Sequence, residues 1–156
     1  MDPALPPAAA PLTTSADPLT AGEELMVVRA GAWRLLVPLR HVQRVHPAAL
    51  PAARPATAPV APLIGVRGAL LPVAFAAALA GEREVTLSPH HQLVELGARG
   101  LRGLLWVDAA EDLVAHAPLG EDQPSPDLVA GWSGTDRPLA VLDVPALLRS
   151  LAALPD

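Results

Sequence analysis

The sequence has no cysteine, no basic cluster and no long hydrophobic run, and each absence excludes a class of protein. Without cysteine there can be no disulfide, thiolate metal site, iron–sulfur cluster or cysteine nucleophile. The net charge is −5, whereas proteins that bind nucleic acid or anionic lipid carry clusters of positive charge, so we expect the protein to bind neither. The longest apolar stretch, residues 68–81, contains Pro72 and is shorter than the roughly 20 residues that span a bilayer. An N-terminus with Asp2 and several prolines is unlike a signal peptide. These features predict a cytoplasmic protein without direct membrane insertion.

The 156 residues suffice for one ordinary domain, and 51% of them are hydrophobic. Residues 1–22 consist mainly of Ala, Pro, Thr and Ser without periodicity, which predicts a disordered tail because little there can offset the entropy of ordering the chain. The folded domain is therefore expected to occupy residues 23–156.

Short apolar runs separated by glycine and proline predict a β-rich fold. We expect a hairpin around Gly31, a helical turn over residues 40–45, a proline-rich connector up to Pro62, and a strand–turn–strand unit over residues 63–73. Further elements are expected as a helix at 76–80, strands at 92–96, 101–107 and 111–115, a hairpin at 128–132 and 139–144, and a helix at 146–154. Eight or nine strands without βαβ alternation, in two similar halves, predict an all-β protein of two small packed barrels.

No arrangement of polar residues points to catalysis or to a metal site. His41 and His46 are five residues apart, and His90 and His91 are adjacent, so neither pair has the spacing of a metal-binding pair on one face. These four histidines and His116 are interpreted as solvated loop and turn residues. The carboxylates between 108 and 112 follow a strand and open a turn, where Asp is common. We therefore predict no enzyme activity, no cofactor and no metal.

Two residues are unusual for their surroundings. Arg67 lies between Gly65 and Gly68 in an apolar segment, where it is either incidental to a surface turn or a cation that a tight turn presents to a partner. Trp106 belongs to a strand with apolar residues on both faces, and the second face could meet another strand, a helix or another protein.

The order of the motifs resembles that of the CheW-like family, the scaffold of bacterial chemotaxis signalling. The family's first hairpin is matched by Gly31, residues 35–39, Val42 and Val45. Its Asn-Leu-Arg-Gly motif, with a following proline, is matched by residues 65–73. Residues 103–108 and 131–148 match its Gly-apolar-apolar-x-Val-Asp strand and its C-terminal pattern. The resemblance covers roughly residues 23–154.

The resemblance implies two intertwined five-stranded SH3-like barrels with short helices, one of them C-terminal. It also implies a non-catalytic adaptor that couples the cytoplasmic tip of a methyl-accepting chemoreceptor to the regulatory domain of a CheA-type histidine kinase, clustered with receptor arrays. Arg44 stands where the family commonly has Glu, and Gly65 where it has Asn. These departures indicate a divergent member.

The resemblance also assigns residues that contact or support the partners. Arg67 and Gly68 belong to the turn motif, and Leu104 and Trp106 to the packing or kinase-side face of the second barrel. The receptor-side residues are Val37, Leu39, Val42, Arg44 and Val45. Two alternatives remain open: a one-sided module that binds only receptor or only kinase, and a small β-barrel enzyme or ligand-binding protein with a site near Trp106 and Asp108.

Overall fold

The computed structural model describes residues 18–48, 63–81, 88–118, 127–134 and 137–153. These residues form ten strands, one 3-10 turn (Leu39–His41) and two helices, α1 (Ala76–Leu79) and α2 (Val144–Ala153). The strands are β1 (Glu24–Ala30), β2 (Trp33–Pro38), β3 (Val42–Pro47), β4 (Leu63–Val66), β5 (Ala69–Phe75), β6 (Gln92–Ala98), β7 (Leu101–Val107), β8 (Ala109–Ala115), β9 (Val129–Ser133) and β10 (Leu139–Leu142). The all-β prediction is confirmed, with ten strands in place of eight or nine.

The strands form two five-stranded sheets with the same internal arrangement. The first sheet has the order β8-β1-β2-β10-β9, and the second has the order β3-β6-β7-β5-β4. Each has an antiparallel hairpin at its centre, β1–β2 or β6–β7, flanked by one parallel pair, β2–β10 or β5–β7. Each central hairpin continues into the edge strand of the other sheet: β3 follows β2 but pairs with β6, and β8 follows β7 but pairs with β1. This exchange intertwines the two curled sheets, as predicted.

The largest core among the described residues lies between the two sheets and holds them together. Val28 and Val37 of the first sheet pack in one cluster with Val94 and Leu105 of the second. Helix α2 contributes Leu147 and Leu148 to the same cluster, each almost fully buried. Each sheet also curls around a smaller core of its own. The first of these contains Leu25, Leu36 and Val141, and the second contains Leu93, Leu104 and Trp106. Because β6 and β7 face a core on both sides, their residues read as nearly continuous apolar runs.

The helical turn expected over residues 40–45 is wrong for most of its length. Helical geometry covers only Leu39–His41, and β3 begins at Val42. The spacing of Val42 and Val45 suits one helical turn, but both residues are β-branched, and pairing with β6 satisfies the backbone here. Helix α2 also begins two residues earlier than expected, because Oδ1 of Asp143 accepts a hydrogen bond from the backbone N–H of Ala146 at 3.0 Å.

Two predicted segments fall largely outside the described residues. These are residues 1–17 of the expected N-terminal tail and residues 49–62 of the proline-rich connector. The described end of the predicted tail contacts the domain: Leu19 packs against the core of the first sheet, and the backbone N–H of Gly22 donates to the carbonyl of His116.

Substitution of Gly103 tests how closely α2 packs on the second sheet. A methyl group at this position of β7 would lie 2.8 Å from Cδ2 of Leu148 and 3.3 Å from Cδ1 of Leu151. We expect Gly103→Ala to lower the free energy of unfolding by about 1–3 kcal/mol through overpacking, measured by urea denaturation. Gly65→Ala is the matched control, because its methyl would meet only Leu70 Cδ2 at 3.8 Å. Equal stability of the two variants would contradict the packing described here.

Candidate partner-binding site

The described residues contain neither a membrane-spanning element of helical type nor a metal site. No helix among them is long and apolar enough to cross a bilayer. Nor does this part of the chain bring together three or more His, Asp or Glu side chains in an arrangement that could hold a metal ion.

Two hairpins of the second sheet turn on an Arg-Gly pair. Arg67 and Gly68 join β4 to β5 with φ angles of 47° and 83°, and Arg99 and Gly100 join β6 to β7 with φ angles of 53° and 82°. A two-residue loop with both φ angles positive matches the right-handed twist of the strands, and it favours Asn or Gly at its first position. Arginine there costs about 1 kcal/mol or more in backbone strain. The tight turn predicted near Arg67 is confirmed.

The side chain of Glu95 on β6 places a carboxylate in the interior, with 1% of the residue exposed. Its Oε1 accepts a hydrogen bond from Nε2 of His46 at 2.9 Å, and its Oε2 accepts one from Nη2 of Arg102 at 2.9 Å. Nη2 of Arg67 lies 3.4 Å from both carboxylate oxygens. Arg67 therefore ties the turn beside edge strand β4 to a strand near the opposite edge of the sheet, which helps to close the sheet into a barrel.

The partners of Glu95 keep its carboxylate ionised. Burial on its own raises the pKa of this group, because a carboxylate loses hydration away from water. The hydrogen bonds from His46 and Arg102 and the charge of Arg67 outweigh that effect, so the pKa of Glu95 lies below its ordinary value. A buried, ionised carboxylate with three partners acts as an anchor for the cations around it.

Arg44 on β3 lies directly across from Glu95 in the β3–β6 register. Its side chain is exposed. Arg67 and Arg102 contact the Glu95 carboxylate and keep 52% and 43% of their side-chain surface in solvent, and Arg44 lies beside Glu95 on the neighbouring strand. The second sheet therefore presents positive charge at this position.

Comparison with known proteins finds similarity among solved structures. No protein-family model matches the sequence, and no curated protein matches it. Among solved structures, the chain is similar to the scaffolding protein TtCheW from Thermoanaerobacter tengcongensis, with a TM-score of 0.63 and 17% sequence identity, over 78% of this chain and 88% of that one.

The chain has the CheW fold. At this identity the likeness shows the fold, and it confirms the two intertwined five-stranded units that the motif resemblance implied. In this fold the Arg67-Gly68 turn and the β6–β7 hairpin, which carry two of the motifs, belong to the same sheet.

Within the CheW fold, the residues assigned to partner binding separate into buried and accessible groups. Val37, Leu104 and Trp106 are at most 2% exposed, so their side chains can support a partner surface only from beneath. Leu39, Val42 and Val45 are half-buried, and the last two pack against the core between the sheets. The exposed members of the set are Arg44, Arg67 and Gly68. Their contact with a partner stays a prediction.

Sequence reasoning missed three residues of the site: His46, Glu95 and Arg102. The available signal was Glu95, a single acid between valine and leucine within a predicted apolar strand. A charged residue in such a position is rarely buried without a partner. Its partners come from separate segments of the chain, and only the sheet topology brings them together.

The interpretation of the histidines as solvated holds for His90, which is exposed, and is wrong for the other four. His41 and His116 are buried, and His46 contacts Glu95. Nδ1 of His91 accepts a hydrogen bond from the indole Nε1–H of Trp106 at 2.8 Å. This contact gives the buried indole donor an acceptor that it would otherwise lack. These side chains are polar partners within the fold, which spacing in the sequence does not reveal.

The acidic turn after β7 joins the two sheets. Oδ2 of Asp108 accepts a hydrogen bond from the backbone N–H of Gly31 at 2.9 Å, and its Oδ1 lies 3.7 Å from Nε2 of His91. Asp108 therefore connects the β1–β2 turn of the first sheet to the segment that precedes β6. Both candidates for a ligand site at the barrel junction, Trp106 and Asp108, are engaged in contacts within the protein.

Replacement of Glu95 tests whether its ionised carboxylate stabilises the fold through the partners around it. Glu95→Gln removes the charge and leaves donors of His46 and Arg102 poorly matched, so we expect the free energy of unfolding at pH 7 to fall by about 1–3 kcal/mol. Because the folded pKa lies below 4.5, this contribution is present above about pH 4.5 and is lost as the pH falls through the folded pKa. Urea denaturation at several pH values should show the two proteins converging in acid.

Glu111→Gln is the control for that experiment. Glu111 pairs with Arg34 at 2.8 Å on the surface, where solvent screens the ion pair and removal of one partner is expected to change the stability little. A loss at Glu95 no larger than the loss at Glu111, or a gap between wild type and Glu95→Gln that widens in acid, would contradict the anchor role.

Proposed function

We propose that this protein is a non-catalytic adaptor that couples the cytoplasmic tip of a chemoreceptor to the regulatory domain of a CheA-type histidine kinase, in cytoplasmic receptor arrays. The observation that carries the proposal is the CheW fold, shared with a protein described as a scaffold. The order of the family motifs supports it as well. The Arg67-Gly68 turn, which belongs to the motif at residues 65–73, lies on the surface of that fold.

The receptor side is assigned to the second sheet around Arg67. Val42 and Val45 are half-buried on β3, where they pack against the core between the sheets, and Arg44 lies between them in the chain with its side chain exposed. Leu70, 69% exposed on β5, supplies apolar surface close to the Arg67-Gly68 turn. An exposed apolar residue beside accessible arginines matches the usual composition of protein interfaces.

A separate surface is available for a second partner on the first sheet. Strand β8 is an edge strand of that sheet, and Leu113 and Val114 are 52% and 40% exposed. An open edge with exposed apolar residues can pair with another chain or receive an apolar contact. We assign the kinase side to this strand. Since the two surfaces belong to different sheets, the adaptor can hold both partners at once.

The altered charge at Arg44 favours one alternative, a one-sided module. If the cation has abolished receptor binding, the protein binds the kinase alone. The ligand-binding alternative has less support, because Trp106 and Asp108 are engaged within the fold.

Reconstitution tests the proposal. The purified protein is mixed with the soluble cytoplasmic fragment of a chemoreceptor and the CheA-type kinase from its own source organism, and complexes are separated by size-exclusion chromatography. We expect a three-component complex. Arg44→Glu should weaken receptor binding about tenfold, equivalent to about 1.4 kcal/mol, with kinase binding unchanged. Leu113→Glu should do the reverse.

Arg149→Glu is the matched control, because Arg149 is an exposed arginine on α2, a helix whose buried side packs into the core between the sheets. Recovery of only one partner by the wild type would establish the one-sided module. Binding of neither partner by a folded protein would overturn the adaptor function, and a thermal-shift screen against metals and metabolites would then test the ligand-binding alternative.

A further inference from the structure

Charge is unevenly divided between the two sheets. From β3 to β7 the described residues include four arginines, at positions 44, 67, 99 and 102, and a single carboxylate, Glu95. The other seven described carboxylates lie on the first sheet or on the segments that flank it: Glu23, Glu24, Asp108, Glu111, Asp112, Asp127 and Asp143. A chain with net charge −5 therefore carries a local positive surface.

The single carboxylate of the second sheet does not cancel this surface toward solvent. Glu95 is almost fully buried, and its oxygens already face His46, Arg67 and Arg102. A guanidinium has five N–H donors, and the contacts of Arg67 and Arg102 with Glu95 each use one Nη2 group. The contact with Glu95 thus orients both guanidinium groups and leaves some of their N–H donors unused by Glu95. Because the two side chains are already ordered, a further anion that binds them costs less conformational entropy.

We propose that the surface formed by Arg44, Arg67 and Arg102 docks an acidic segment of a protein partner, with Glu or Asp side chains on its contact face. The inference rests on the proposed function, because this is the receptor side, and it adds the chemistry of the segment that binds there. Opposite charges would steer the encounter and select the partner.

Charge and shape favour an acidic peptide over a nucleic acid or a membrane. An extended polyanion would meet the described carboxylates that lie outside the second sheet, and three arginines around one position do not form the continuous basic track that a phosphate backbone follows. Leu70 lies three residues from Arg67 and is exposed, so apolar residues of the same partner segment would also find a contact. A short segment with acidic and apolar residues fits this surface.

The experiment uses two synthetic helical peptides that differ only in having Glu or Gln at four positions, each titrated into the ¹⁵N-labelled full chain at low salt. We expect the Glu peptide to shift amide resonances of residues 42–47, 66–70 and 95–102, and the Gln peptide to bind at least about tenfold more weakly. Arg44→Gln should weaken the Glu peptide about threefold to tenfold, whereas Arg149→Gln should leave its affinity unchanged. Higher salt should weaken binding.

Several results would overturn the proposal. These are no shifts with the Glu peptide, shifts centred on another surface, equal binding of the two peptides, or tighter binding of a single-stranded oligonucleotide or of anionic phosphatidylserine vesicles than of the Glu peptide. The outcome is independent of the reconstitution. A receptor fragment that binds although the Glu peptide does not would leave the adaptor function standing and remove the acidic docking mode.

Discussion

A carboxylate removed from water requires partners, and the pairing of Glu95 organises the second sheet. His46, Arg67 and Arg102 approach it from β3, from the β4–β5 turn and from β7. The contact with Arg67 spans the sheet, so it contributes to barrel closure where no backbone hydrogen bonds join β3 to β4. It also offsets part of the backbone strain of Arg67, which occupies a left-handed position that Asn or Gly would occupy with less strain. The buried Glu95 carboxylate thus both stabilises the barrel and holds the arginines that are exposed on its surface.

The exchange of edge strands explains why two small barrels behave as one unit. Neither sheet is complete without a strand that directly follows the other sheet's central hairpin, and the shared core between them is the largest that the described residues form. Small cores alone give little stability. The arrangement also leaves the β8 edge and the Arg67 turn on different sheets.

Local patterns predicted most elements because their causes are local. Glycine and proline mark the hairpins, and the two-residue Arg67-Gly68 turn follows from the sequence itself. The β3 segment was misjudged because its periodicity suits a helical turn, whereas pairing with β6, about 50 residues away, decides its conformation. The site was only half predictable for the same reason. Arg67 is conspicuous in the sequence, but its contact with Glu95 depends on the pairing of distant strands.

A double-mutant cycle between Arg67 and Glu95 tests the central claim most directly. Arg67→Asn removes the guanidinium while keeping a residue that tolerates the left-handed turn, so the cycle with Glu95→Gln isolates the ion pair from backbone strain. Urea denaturation of the wild type, both single variants and the double variant is predicted to give a coupling free energy of at least about 0.5 kcal/mol, favourable to the pair. Additive effects, within about 0.3 kcal/mol, would show that Glu95 does not hold Arg67 and would contradict the account.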